Sequence, residues 1–205
     1  MNRSMICGVA AMALLSACQQ QTPTATDAGS APDDAITARF EALKASALTM
    51  VKADEDCVLP EPMEGERTVE AVDLGGGDVA VLVVCSTGTA DQWSRVYVSE
   101  DNGAPVHVPL PFYKYQGADG WMTWDAMSNL SWDAATRTFA GSTRLQATGC
   151  AEGAEWRWDG ARLVLARQWH MDCGAIGADG ELPDPVDDFP TTPPTEQPAW
   201  IAAQA

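Results

Sequence analysis

Apolar residues recur every three to four positions from Ile36 through Phe40, Leu43 and Ala47 to Val51, which places them along one face of a helix running to about Lys52. Asp33 and Asp34 stand just ahead of that stripe, where an N-cap belongs. From Cys57 onward the helical period gives way to short β-branched and aromatic runs between turn residues, the pattern of an antiparallel β domain. Asp78 to Ser86 (DVAVLVVCS) is an unbroken apolar run of buried-strand length. Ser94 to Ser99 (SRVYVS) alternates instead and leads into Asp101-Asn102-Gly103, where Asn and Gly tolerate the positive φ of a tight hairpin turn. The next strand, Val106 to Leu110, is hemmed by Pro105, Pro109 and Pro111, which remove ladder donors and assign it to an edge.

The second half repeats this grammar: Asn129 to Trp132, a turn over Asp133 to Arg137, and a strand from Thr138 to about Leu145. In Glu155 to Leu165 (EWRWDGARLVL) the Asp159-Gly160 pair predicts a two-residue turn. Trp158 then faces Ala161 and Trp156 faces Leu163 on a core face, while Arg157 and Arg162 share the wet one. Because Cys85 and Cys150 each lie shortly before a tryptophan-bearing hairpin strand, the chain reads as two similar lobes, 53–115 and 121–173, within one β-rich domain spanning 33–173. The segment 174–205 is acidic, rich in proline and free of Lys and Arg, an extended tail with Phe189, Trp200 and Ile201 as its anchors. The expected fold is mainly β, with antiparallel meander and hairpin sheets and one amino-terminal amphipathic helix.

Charge narrows the function. Across 205 residues, 12 Lys and Arg against 29 Asp and Glu give a net charge of −17, which excludes the basic face that phosphate neutralisation in nucleic-acid binding requires. The first residues carry one charge, Arg3, followed by the apolar run Met5 to Leu15, of signal-peptide length and too short to span a bilayer. It ends in Leu15-Ser16-Ala17-Cys18, which resembles a bacterial lipobox, with cleavage before Cys18 and acylation of that cysteine by chains such as palmitate. Each buried methylene contributes about 0.8 kcal/mol, so several acyl chains hold a protein on a membrane essentially permanently. Gln19 rather than Asp after the cysteine resembles the sorting signal for the outer membrane. Removing 1–17 takes away one arginine and no acid, so the net charge goes from −17 to −18. Residues 18–32 are polar and read as a flexible tether with an end-to-end distance of about 20 Å. No other apolar stretch approaches spanning length.

Once Cys7 leaves with the signal and Cys18 with the lipid, four of the six cysteines remain: Cys57, Cys85, Cys150 and Cys173. An even number in an oxidising compartment predicts disulfides, and of the three pairings Cys57–Cys85 with Cys150–Cys173 closes two local loops. A metal site built on His170, Met171 and Cys173 lacks a CxxC, and His107 is the one other histidine in the sequence, so no recognisable ligand set forms.

The carboxy-terminal third resembles the bacterial family catalogued as domain of unknown function 1176, exported proteins of mainly proteobacterial origin. The matching pieces are Leu130 to Phe139 (LSWDAATRTF), Gly149-Cys150, Trp156 to Gly160 (WRWDG), Leu163 to Leu165 (LVL) and Met171 to Gly174 (MDCG). Phe189-Pro190-Thr191 stands where the family carries a Trp-Pro strand, after an acidic insertion. The resemblance implies export, β structure and paired cysteines, and implies no activity.

No GxSxG, HExxH, phosphate loop or EF-hand loop is present. The acids Asp54, Glu55, Asp56, Glu61, Glu64, Glu66 and Glu70 read as a solvated surface, and Asp179, Glu181, Asp184, Asp187 and Asp188 match no calcium loop. Eight tryptophans invite a sugar-stacking platform at Trp121 and Trp124, against the alternative of a tryptophan-rich core. The sequence thus reads as a non-enzymatic, lipid-anchored protein of the cell envelope, on the outer membrane facing the periplasm, with no cofactor or metal. Its partners are the membrane and, through charge, a cationic envelope or host protein, as in an inhibitor of the lysozyme-binding type. A cell-envelope hydrolase with two converging carboxylates is the other alternative.

Overall fold

A computed structural model describes residues 31–57, 59, 67–88, 91–115, 118–145, 150–171, 183–188 and 196–199. The fold is mainly β, and one helix precedes the strands among the described residues. Helix α1 spans Ala31–Lys52, so Asp33 and Asp34 lie in its first turns rather than ahead of it, where acidic residues suit the positive end of the helix dipole. Leu43, Ala47 and Val51 are buried and Phe40 packs beside them, as their spacing requires. Ile36 departs from the expectation and is 53% exposed. Arg39, one turn later, already donates from Nη2 to the carbonyl of Gly77, in the turn that ends the first hairpin, so Ile36 lies past the sheet the helix covers.

That sheet is antiparallel and ordered β1 (Val69–Gly75), β2 (Asp78–Thr87), β3 (Gln92–Ser99), β4 (Val106–Val108). A two-residue strand, β7 (Met127–Ser128), pairs with the start of β3. A second antiparallel sheet is ordered β12 (Val186–Asp187), β11 (Leu163–Met171), β10 (Cys150–Trp158), β9 (Thr138–Leu145), β8 (Ser131–Asp133), and β5 (Leu110–Tyr115) with β6 (Ala118–Trp124) forms a separate hairpin.

β2 is apolar from Val79 to Cys85 because both its faces are covered there. Val79, Val81, Val83 and Cys85 join the helix in one buried cluster, while Ala80 and Leu82 join a second that includes Val96, Val98, Phe139, Trp156 and Leu165 from both sheets. The same layering corrects the reading of β3: Ser94 through Ser99 are all buried, the polar members included, because helix and second sheet each claim a face. The expected proline-flanked strand divides at Pro109 into β4 and the start of β5, and β4 does lie at its sheet's edge.

Two turns refine the local readings. In the β3–β4 connection the positive φ values fall on Asp101 and Asn102 (44° and 64°), one residue earlier than expected, and Gly103 N–H closes the turn on Glu100. In the tryptophan hairpin, Trp158 faces Leu163 and Trp156 faces Leu165, so the loop holds four residues, not two. Asp159 Oδ1 accepts from the N–H groups of Ala161 and Arg162, and Gly160 takes φ 101°, which stabilises the longer loop. A shift of two positions preserves the face, so Trp156, Trp158 and Leu163 are buried as anticipated and Leu165 joins them, but Ala161, expected on the core face, lies in the loop and is exposed. Arg157 stays in the strand and is exposed, but Arg162 belongs to the loop, so the two do not share a face.

Candidate functional site

Cys57 and Cys85 form a disulfide across 28 positions, as the local-loop argument predicts. It ties the end of α1 to the end of β2, and three polar side chains surround it. Asp54 accepts the Asp56 N–H at 2.9 Å and pairs with Arg95, whose guanidinium lies on β3 and is almost entirely buried. Burial pushes the Asp54 carboxyl up, but the Asp56 N–H and the Arg95 charge outweigh it and hold it below the usual aspartate range. Arg67 donates to the carbonyls of Val84 (2.6 Å) and Cys57 (3.1 Å), joining the strand preceding the disulfide to both sides of it. Burial raises the Tyr97 phenol, and its ring centroid lies 5.6 Å from that of His107. This corner fastens helix to sheet.

Cys18 and Cys173 lie outside the described residues, as do Glu61, Glu64, Glu66, Asp179, Glu181, Phe189, Trp200 and Ile201. Cys150 opens β10, its side chain also outside the description. Trp121 and Trp124 are half-buried: Trp124 stacks on Phe112 at 4.5 Å and Trp121 meets Tyr113 edge-on at 5.4 Å, both packed against the core. Trp156 is fully buried and donates from its indole to the Pro111 carbonyl at 2.7 Å, the satisfied partner that a core tryptophan requires.

A second polar group was not legible from spacing. Glu152 on β10 pairs directly with His170 on β11, and the strand register carries this row to Thr143 on β9 and Val186 on β12. His170 donates from Nδ1 to Asp188 Oδ1 at 2.8 Å, and buried Gln168 donates to the other oxygen of Asp188 at 3.3 Å while accepting the Tyr113 N–H at 3.1 Å. Arg167 bridges Asp187 (2.7 Å) and Glu155 (3.1 Å). The Asp188 side chain is only 5% exposed. Burial first, then the nearby Asp188 carboxylate, raises the Glu152 carboxyl above its ordinary range, with His170 opposing. The imidazole and carboxylates are acid–base groups by type, and their contacts join three strands of one sheet.

Farther along β11, Gln197 is buried and spans the strand edge, its amide donating to the Leu163 carbonyl at 2.8 Å and accepting the Leu165 N–H at 3.2 Å. The tail is therefore held by Asp187, Asp188 and Gln197, which the aromatic-anchor expectation did not name. Sequence gave little warning, because acids and a glutamine within a proline-rich run look like solvated tail. Among the described residues, no three His, Cys, Asp or Glu side chains form a group able to hold a metal, and Asp187 and Asp188 of the acidic run are engaged by Arg167, Gln168 and His170.

The architecture is a helix laid on one of two antiparallel sheets that share a tryptophan-rich core. The chain belongs to the family described as Protein of unknown function (DUF1176), whose model matches residues 10–183, well beyond the stretch that carries the resemblance by eye. No curated protein and no solved structure matches it.

Proposed function

We propose that this family member is a lipoprotein of the cell envelope, anchored through acylated Cys18 on the outer membrane and acting as a non-catalytic binding module in the periplasm. The observation that carries this reading is the apolar run Met5 to Leu15 closing on Leu15-Ser16-Ala17-Cys18, followed by a polar tether. Cys18→Ser should yield protein that takes up no fatty-acid analogue and leaves the membrane fraction. A mutant that labels and partitions like its parent sinks the anchor.

The net charge of −17 favours a second, narrower reading, a cationic protein as partner, with lysozyme as the type. Such binding is steered by the protein's field and weakens as salt shortens the Debye length below about 8 Å. Calorimetry against basic periplasmic and host proteins at two salt concentrations tests it, and an absence of saturable binding at the lower salt leaves the charge to solubility alone.

A further inference from the structure

We propose that the outer edge of β11 is a docking edge for an extended acidic segment carrying two consecutive aspartates, and that the chain's own Val186–Asp188 fills it in cis. The attachment is small and chemically selective. Backbone pairing covers Trp169 with Asp187 and His170 with Val186, and the Asp188 N–H donates to the Gln168 carbonyl at 2.9 Å. Each aspartate has its own reader: Arg167 Nε takes Asp187 Oδ1 at 2.7 Å, while His170 Nδ1 and Gln168 Nε2 take the two oxygens of Asp188. Val186 contributes little to the core, being 48% exposed.

Selectivity thus lies in donors aimed at two carboxylates, with the ladder fixing direction and register, which is how strand addition divides affinity from specificity. Glu155 and Glu152 face the same donors from β10 and keep the edge from becoming a general anion site. A segment with one aspartate would leave either the Arg167 or the His170–Gln168 position unanswered. The ligand class is an acidic extended peptide, and the resident segment is a tethered competitor whose effective concentration is on the order of millimolar.

The test uses the capped synthetic hexapeptide Pro-Asp-Pro-Val-Asp-Asp, the sequence of 183–188, titrated into the full chain while its backbone amides and tryptophan indoles are followed by NMR. In Asp187→Asn/Asp188→Asn, the His170 amide, which faces the segment, should lose protection and the peptide should bind saturably, at least about tenfold more tightly than to the parent, whose own segment competes. Val186→Pro, which removes one segment N–H and leaves both aspartates, should behave likewise, so a folding defect peculiar to one variant is separated from release. Adding Arg167→Gln to the release variant should weaken peptide binding about tenfold or more, the loss of a charge-assisted hydrogen bond. The proposal is overturned if neither variant binds the peptide, if a peptide with Asn in place of both terminal aspartates binds equally well, or if the parent binds as tightly as the release variants.

Discussion

Glu152 stands between a hydrogen-bonded row of β-sheet and the Asp188 carboxylate, and both its burial and that neighbour disfavour its charged form. A carboxyl whose folded value is raised binds its proton more tightly in the folded chain than in the unfolded one. Stability at this site is therefore greatest below the unfolded value, about pH 4.3. It is lost as pH rises through the raised folded value. Glu152→Gln should stabilise the protein at neutral pH and do little in acid, measured as the denaturation midpoint across that range. Asp54 has the opposite sign: its lowered carboxyl contributes stability above the ordinary aspartate range that is lost on acidification. Asp54→Asn should accordingly flatten the acid side of the same profile. Gly153 shows a steric constraint instead, since a Cβ there would meet Trp169 Cζ2 at 2.4 Å and the Gly141 carbonyl at 2.8 Å. Gly153→Ala should cost about 1–3 kcal/mol by overpacking, read from equilibrium unfolding. Neither the Glu152 environment nor the Gly153 contact is visible in the sequence, because each depends on which residue the register places opposite.

At the scale of elements, a disulfide and a buried glutamine fasten the periphery to the sheets. The Cys57–Cys85 bond joins α1 to β2, and Cys57→Ser should lower stability by about 2–5 kcal/mol. The expected observation is an earlier loss of helix signal than of strand signal on heating, since the helix relies on its sheet contact. Gln197 performs for β11 what a missing strand would, satisfying the Leu163 carbonyl and Leu165 N–H through a side chain. Gln197→Ala leaves two buried backbone groups short of a partner and should cost about 1–3 kcal/mol, with the Leu165 amide exchanging faster. The Asp133 turn is secured by its own sequence. Its carboxylate accepts from Ala135 N–H and from the Thr136 hydroxyl, which lowers its carboxyl, and Arg137 takes φ 56° beyond it. Local side-chain chemistry of this kind makes the turn and the strand after it legible, whereas the loop at Asp159-Gly160 holds four residues where the sequence predicts two. Asp-Gly is compatible with both lengths, and Asp159 Oδ1, accepting from the Ala161 and Arg162 N–H groups, stabilises the longer one.

For the whole molecule, −17 over 205 residues means that like charges oppose compaction. Moderate monovalent salt should raise Tm by a few degrees, equivalent to about 1 kcal/mol, by screening that repulsion. An unchanged or falling Tm would show that ion pairs such as Arg95–Asp54 and Arg167–Asp187 outweigh the general field. The layered design concentrates these pairs where peripheral elements join the sheets and leaves the shared core to Trp156, Phe112, Phe139 and the aliphatics around them.

Hydrophobic patterning by itself determined the helix over Phe40 to Val51, the buried run of β2 and the inward tryptophans, because each is a local pattern with one favourable burial, and the prolines determined the edge strand because they remove ladder donors. Among three possible pairings, the preference for short loops pointed to the Cys57–Cys85 closure that the structure contains. Only the tertiary structure decided that β3 is covered on both faces, that Ile36 lies beyond the sheet, and that Asp187, Asp188 and Gln197 fasten the tail. Those outcomes depend on what another, distant element brings to a residue. A polar side chain in a solvated run and one that completes a strand edge read identically until the edge is in place.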